Sequence, residues 1–267
     1  MNPPVVSLTQ GNLPLLISIP HAGECLPEKF SRHMTAAARR IADTDWHLPV
    51  LYDFARAMGA SVLQANYSRY VVDVNRSSNG EALYPGKVTS GLCPGETFRG
   101  EPLYTDGRPS PDPADTAQRV TEYWQPYHDT LREELARLRG QFPHVLLWEA
   151  HSISSELPRL FEGRLPDLNI GTFSGAACDP ALREAAIAAA RTSPFSWTID
   201  DRFKGGYITR HYGQPRDGVH AVQLEMVHRL YMDETFPFAY RADRAASVLP
   251  TLQSMVGGAL AALARVR

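Results

Sequence analysis

Apolar residues along this chain gather in short runs, and stretches of helical spacing separate them. Leu15 to Pro20 is a continuous apolar run with one serine inside it, and it stops at Pro20, which donates no ladder hydrogen bond. Val145 to Trp148 is a second such run. Val219 to Met226 alternates instead, so that Gln223 and Glu225 share one face and Val222, Leu224 and Met226 the other. Shorter strand signals cover Pro3 to Leu8 as an edge, Ser61 to Leu63, Tyr70 to Val74, and Leu168 to Gly171. The helical stretches are Pro27 to Arg40, Leu48 to Met58 closed by Gly59, and Asp115 to Arg139, where Pro126 kinks or divides the helix. Pro180 to Ala190 follows, then an alanine- and leucine-rich helix from Ala245 to Val266 with a break expected at Gly257 and Gly258. In FKGGYITRHYG the glycines Gly205, Gly206 and Gly213 mark tight turns.

Strands and helices in this alternation make an α/β protein, and 267 residues at 43% hydrophobic composition suit one large domain over 1–267. The segment from Ser77 to Pro113 is too long and too rich in glycine and proline for an ordinary connection. Its aromatics Tyr84, Phe98 and Tyr104 predict an ordered active-site cover. A formal charge of −2 gives no basic footprint for nucleic acid or an anionic membrane. Cys25, Cys93 and Cys178 have no CxxC spacing, which points to a reducing compartment, and the first residues lack a signal-like pattern; the expected location is cytoplasmic. No stretch holds 18 apolar residues without interruption, so no membrane span is expected.

Two apolar runs each deliver a histidine. His21 comes directly after Pro20, His151 follows VLLW and Glu149, and strand carboxyl ends are where an open α/β sheet presents ligand-binding residues. Two neutral imidazoles with one carboxylate form a set that suits zinc with a position left open, and cobalt or iron accept similar ligands. Glu24, three residues after His21, and Asp45, in the polar stretch TDW, compete as the oxygen ligand. A bound zinc polarises a carbonyl and acidifies water, and a separate carboxylate must carry the proton. Glu225 fits that task because apolar neighbours on its strand would raise its pKa. Arg76 in DVNRSS is a natural clamp for a substrate carboxylate, with Asn75 beside it, and Arg69, Arg99 and Arg210 are further anion-binding candidates. His211 and His228 need no metal role, His228 being expected on a solvent-facing turn. The serines at 18, 152 and 155 occupy no GxSxG elbow, and the phosphate-binding glycine motifs are missing.

Together these segments resemble the N-formylglutamate amidohydrolase family. The resemblance runs in order through SIPHAGE (18–24), ADTDWH (42–47), SRYVVDVNRSS (68–78), GLCPGETFRGEPLY (91–104), EAHSI (149–153), PDLNIGT (166–172), FKGGYITRHYG (203–213) and VQLEM (222–226). It implies a zinc-carboxypeptidase-like fold of the phosphorylase/hydrolase kind, with a mixed, mostly parallel central sheet flanked by helices. It also implies hydrolysis of N-formyl-L-glutamate, a small dicarboxylic N-formyl amino acid, to L-glutamate and formate in histidine degradation. By the same resemblance His21 and His151 are metal ligands, with Glu24, Asp45 or both completing the set, Glu225 is the catalytic carboxylate, and Arg76 with Asn75 holds a substrate carboxylate. A zinc amidohydrolase acting on another N-acyl amino acid and a noncatalytic binding protein for small anions are the competing functions.

Overall fold

The computed structural model describes residues 3–81, 89–106 and 111–266. Among them seven strands form one sheet: β1 (Val6–Thr9), β2 (Leu15–Ile19), β3 (Ser61–Ala65), β4 (Val145–Ile153), β5 (Leu168–Gly171), β6 (Trp197–Ile199) and β7 (Val219–Val227). Their order across the sheet is β1-β3-β2-β4-β7-β5-β6. The four central strands β3, β2, β4 and β7 are mutually parallel, while β1 pairs antiparallel with β3 and β5 antiparallel with β7. The expected mixed, mostly parallel sheet is therefore present. The helices are α1 (Glu28–Ser31), α2 (Leu48–Leu51), α3 (Asp53–Met58), α4 (Pro113–Arg119), α5 (Gln125–Arg139), α6 (Pro180–Arg191), α7 (Tyr207–Tyr212) and α8 (Ala242–Leu263).

Both faces of the central strands are buried, which is why their sequences read as apolar runs. One face carries Leu15, Ile17, Leu146, Trp148, Val222 and Leu224, packed with Val248, Leu252, Met255 and Val256 of α8 and Leu182 and Ala186 of α6. The other carries Leu16, Leu63, Leu147 and Ala221 under Tyr127, Leu131, Leu135 and Leu138 of α5. Helix α8 is long and apolar enough by composition to cross a membrane, but those buried residues make it a core helix.

Tertiary contacts redraw several expected elements. Residues 70–74 are not a strand: Val71 N–H bonds back to Ser68 and Arg76 N–H to Asp73, so the segment coils. Coiling lets Arg69 meet Asp73 at 2.6 Å, and a straight strand would have held these i, i+4 side chains apart. The stretch from Pro27 to Arg40 yields one helical turn and a 3₁₀ turn at Ala38–Arg40, because Thr35 N–H is taken by the Leu103 carbonyl. Helix α8 runs unbroken through Gly257 and Gly258, with Pro250 inside it. The irregularity foreseen around Pro126 is a π-helical segment, Val120–Trp124, joining α4 to α5; a widened turn is one way to accommodate the N–H that proline lacks.

His128 on α5 braces the loop that leads to the site. Its Nε2 donates to the Val74 carbonyl at 2.8 Å, its Nδ1 accepts from Tyr212 Oη at 2.9 Å, and its ring stacks on Trp124 at 3.8 Å. Burial pushes its pKa down to about 4, with the Val74 carbonyl opposing. An unfolded histidine takes up its proton near pH 6.5, so between those two values the unfolded chain binds more protons, and stability present above pH 6.5 is lost as pH falls. The shift corresponds to roughly 3 kcal/mol. His128→Gln keeps a donor and an acceptor; it is expected to cost about 1 kcal/mol at pH 7.5 through the lost stacking and to flatten the decline below pH 6.5. Urea unfolding midpoints of both proteins at pH 7.5 and pH 5 check this, and parallel declines would contradict it.

Candidate active site

Strand β2 ends at Ile19, and His21 follows Pro20 with 3% of its surface exposed. Strand β4 does not stop at Trp148; it continues to Ile153, so His151 lies within the strand. Side-chain alternation then puts Leu147, Glu149 and His151 on one face. On β7 the same alternation aligns Ala221, Gln223 and Glu225, and the parallel register sets Glu149 beside Gln223 and His151 beside Glu225. The face that packs under α5 thus becomes polar toward the carboxyl end of the sheet. Asp45 arrives from the loop before α2, and its N–H is tied to the His21 carbonyl at 3.0 Å.

The two imidazoles point the same edge at Asp45. His21 Nδ1 lies 3.7 Å and His151 Nδ1 3.2 Å from Asp45 Oδ2, and the rings are 4.9 Å apart. Their other nitrogens are held from behind. His21 Nε2 contacts Asp73 Oδ1 at 2.7 Å, and His151 Nε2 contacts Glu149 Oε1 at 2.9 Å and Asn75 Nδ2 at 3.0 Å. Asp73 is anchored in turn by Arg69, Glu149 accepts from Thr209 Oγ1, and Asn75 Oδ1 accepts from Ile208 N–H at 2.8 Å. Gly206 packs so closely on Asn75 that a Cβ there would fall 2.2 Å from its Nδ2, which explains a glycine at this position.

Burial and charge work against each other throughout. Burial raises the Asp45 carboxyl, but the His151 hydrogen bond and the charges of His21, His151 and Arg69 outweigh it and hold its pKa below the usual carboxylate value. Burial likewise opposes ionisation of Asp73, yet Arg69, Arg76 and His21 hold it well below. His21 is lowered by burial and by Arg69, with Asp73 and Asp45 opposing, which favours the neutral imidazole a metal needs. For His151 burial is overcome by Glu149, Asp45 and Glu225, which push it up to about 10. The field at His151 therefore calls for positive charge, and a divalent cation supplies it as a proton does. Burial pushes Glu225 up to about 8, Asp45 and Glu149 adding to the rise and His151 and Arg69 opposing it.

His21, Asp45 and His151 are all buried and offer ligand atoms within 4.8 Å of one another. Two nitrogens and one carboxylate oxygen, with each histidine's far nitrogen on a carboxylate, is the donor set and outer support of a zinc-type centre. The residues fit such an ion. Glu24 is exposed and lies outside this cluster. A cavity beside the cluster is lined by His21, Asp45, Arg69, Asn75, Arg76 and Glu225, together with Phe98, Arg202 and Gln223. Arg99 is exposed, and Arg210, whose Nε donates to the Gly205 carbonyl at 2.9 Å, lies over Phe173; neither lines this cavity. Tyr84 lies outside the described residues. His211 is exposed on α7, whereas His228, expected on a solvent-facing turn, is buried. Sequence reasoning missed the bracing roles of Asp73 and Glu149 and the presence of Arg202 in the cavity. Alternation from His151 back along β4 was a usable signal for Glu149; for Arg202 no local pattern existed.

Fold and site together define an α/β protein with a buried His, Asp, His candidate metal centre at the carboxyl edge of a mostly parallel sheet. The profile of N-formylglutamate amidohydrolase matches residues 13–232, and the chain belongs to that family. It is 50% identical over 258 residues to the N-formylglutamate deformylase of Pseudomonas putida and 51% identical over 260 to that of Pseudomonas aeruginosa, in each case across 96% of both chains. Its fold matches the crystal structure of N-formylglutamate amidohydrolase from Ralstonia eutropha JMP134 with a TM-score of 0.79 at 23% identity, covering 98% of each chain. A gene product of Agrobacterium tumefaciens matches with a TM-score of 0.75 at 18% identity, covering 97% of this chain and 96% of that one.

The competing carboxylates can be separated by metal affinity. Asp45→Asn is expected to weaken zinc binding by about 100-fold or more, and Glu24→Gln to leave it unchanged, in a chelator competition titration. Equal effects of the two would overturn the choice of Asp45.

Proposed function

We propose that this protein hydrolyses N-formyl-L-glutamate to L-glutamate and formate, the step that the family resemblance assigns to histidine degradation. The observation that carries the reading is the side-by-side register of His151 and Glu225, both facing the cavity that His21 and Asp45 also line. That sequence relatives named for this deformylation share about half of their residues with the chain supports it. The zinc-carboxypeptidase-like kinship that the family resemblance implies is part of the same proposal.

A divalent ion held by His21, Asp45 and His151, zinc in the first instance, would supply Lewis acidity toward the formyl oxygen and toward water. Asp73 and Glu149 fix the orientation of the two histidines. Glu225 accepts the proton of water as its oxygen bonds to the formyl carbon, and then returns that proton to the amide nitrogen as the formyl C–N bond breaks. Burial raises its pKa, which makes it ready to hold that proton, and a cation bound at the neighbouring cluster would lower the value so that it can first accept it. Arg69 lines the cavity, and in this reading its guanidinium stabilises the developing oxyanion. Asn75 and Arg76 sit beside it for the α-carboxylate. Thr89, Ser90 and Phe98 from the long segment after β3 form part of the lining, which supports that segment as the cover of the site.

Two outcomes are expected. Glu225→Gln should lower kcat by roughly 10²- to 10⁴-fold while metal content by elemental analysis stays that of the parent; loss of the metal with the activity would assign Glu225 a different role. Protein stripped by chelation should lose turnover and recover it on reloading with zinc, glutamate and formate appearing in equal amounts. Full activity in the stripped protein, or faster turnover of N-acetyl- or N-succinylglutamate, would refute the reading.

A further inference from the structure

N-Formylglutamate is a dianion, so the cavity must meet two carboxylates separated by the substrate's own methylenes. Arg69, Arg76 and Arg202 line it. The first two come from one turn and share one acid: Arg69 lies 2.6 Å and Arg76 3.8 Å from Asp73. Arg76 also commits N–H groups to the Ser90 carbonyl, Ser90 Oγ and the Asn75 carbonyl at 2.8 to 2.9 Å. With Asp73, Asp45 and Glu225 nearby, this end can balance one substrate carboxylate, and a second drawn here would face those acids.

Arg202 belongs to a separate loop between β6 and α7. That loop is pinned at Asp200, a non-glycine residue at φ 49°, whose carboxylate accepts from Thr172 N–H at 2.7 Å and Thr172 Oγ1 at 2.6 Å. Arg202 Nε donates to the Leu160 carbonyl at 3.3 Å, and the guanidinium carbon lies 5.3 Å from the Phe203 ring. Ile153, Leu160 and Phe203 line the same cavity. An apolar wall with a planar cation suits the two methylenes and terminal carboxylate of a glutamate side chain, while Asn75 and Arg76 take the α-carboxylate.

We infer that Arg202 is the specificity-determining residue that receives the side-chain carboxylate and selects a diacid over neutral N-formyl amino acids. The inference rests on the proposed deformylation. N-Formylglutamine tests it, because it has the shape of the diacid without the second charge. In metal-loaded protein, Arg202→Gln should lower kcat/KM for N-formylglutamate about 10- to 100-fold, mainly through KM, and change kcat/KM for N-formylglutamine less than about threefold. Calorimetric titration with glutarate and with butyrate gives a readout independent of turnover: the parent should bind glutarate more tightly, and the variant should lose that preference. Equal losses on both substrates would mean a merely structural role, and a preserved preference for the diacid would also overturn the assignment. Should the parent fail to cleave N-formylglutamate, the proposed reaction falls, and the glutarate and butyrate titrations still decide the role of Arg202.

Discussion

Everything at the carboxyl edge of this sheet depends on two buried imidazoles being held from behind by carboxylates. Asp73 on His21 and Glu149 on His151 fix each ring so that both Nδ1 atoms turn to Asp45. An unbraced histidine rotates and tautomerises freely; a braced one presents a single nitrogen in a set direction. The bracing groups are themselves buried charges, tolerable only because each is answered: Arg69 answers Asp73, and Thr209 and His151 answer Glu149. Removing one member of such a pair typically costs about 3–5 kcal/mol, since the survivor is left uncompensated. Geometry at the metal-type cluster and stability of the fold are therefore coupled through the same contacts.

That constraint explains departures from simple secondary structure. β4 runs past its apolar run at 145–148 to Ile153, where the parallel pairing of Glu149 with Gln223 and His151 with Glu225 on β7 holds the polar side chains at fixed spacing. The segment from Ser68 to Arg76, rich in β-branched residues, gives up strand geometry so that Arg69 can curl onto Asp73 and Asn75 can reach His151. Trp124 and His128 close that turn from the α5 side, Trp124 Nε1 donating to the Arg76 carbonyl at 2.9 Å and His128 Nε2 to the Val74 carbonyl at 2.8 Å. Local propensity loses to the satisfaction of buried polar groups, which is the stronger demand in a water-poor interior.

The charge pattern is equally divided in space. Acids concentrate at the histidine cluster, where they favour a cation and keep Glu225 ready to hold a proton, whereas arginines ring the same cavity from the turn at 69–76 and from the loop after β6. In the proposed reaction an anionic substrate is oriented by its charges, its carboxylates toward the guanidinium groups and its uncharged amide toward the candidate metal cluster.

Much of this was legible in the residues alone. The apolar runs at 15–20 and 145–148 and the alternation at 219–226 announced buried strands, and His21 and His151 stood out at or after strand ends, Glu225 within its strand, Asp45 in the polar stretch TDW as a competitor of Glu24, and Asn75 and Arg76 in DVNRSS, after a segment that coils instead of forming the expected strand. Strand alternation is a local property, readable over a few residues. What only the tertiary structure decided was which side chains meet: that Asp45 rather than Glu24 closes on the histidines, that Asp73 and Glu149 stand behind them, and that Arg202 enters the cavity while Arg99 and Arg210 do not. Those outcomes depend on register between strands and on the paths of loops. Both follow from the burial and pairing of groups far apart in the chain, so no local spacing encodes them.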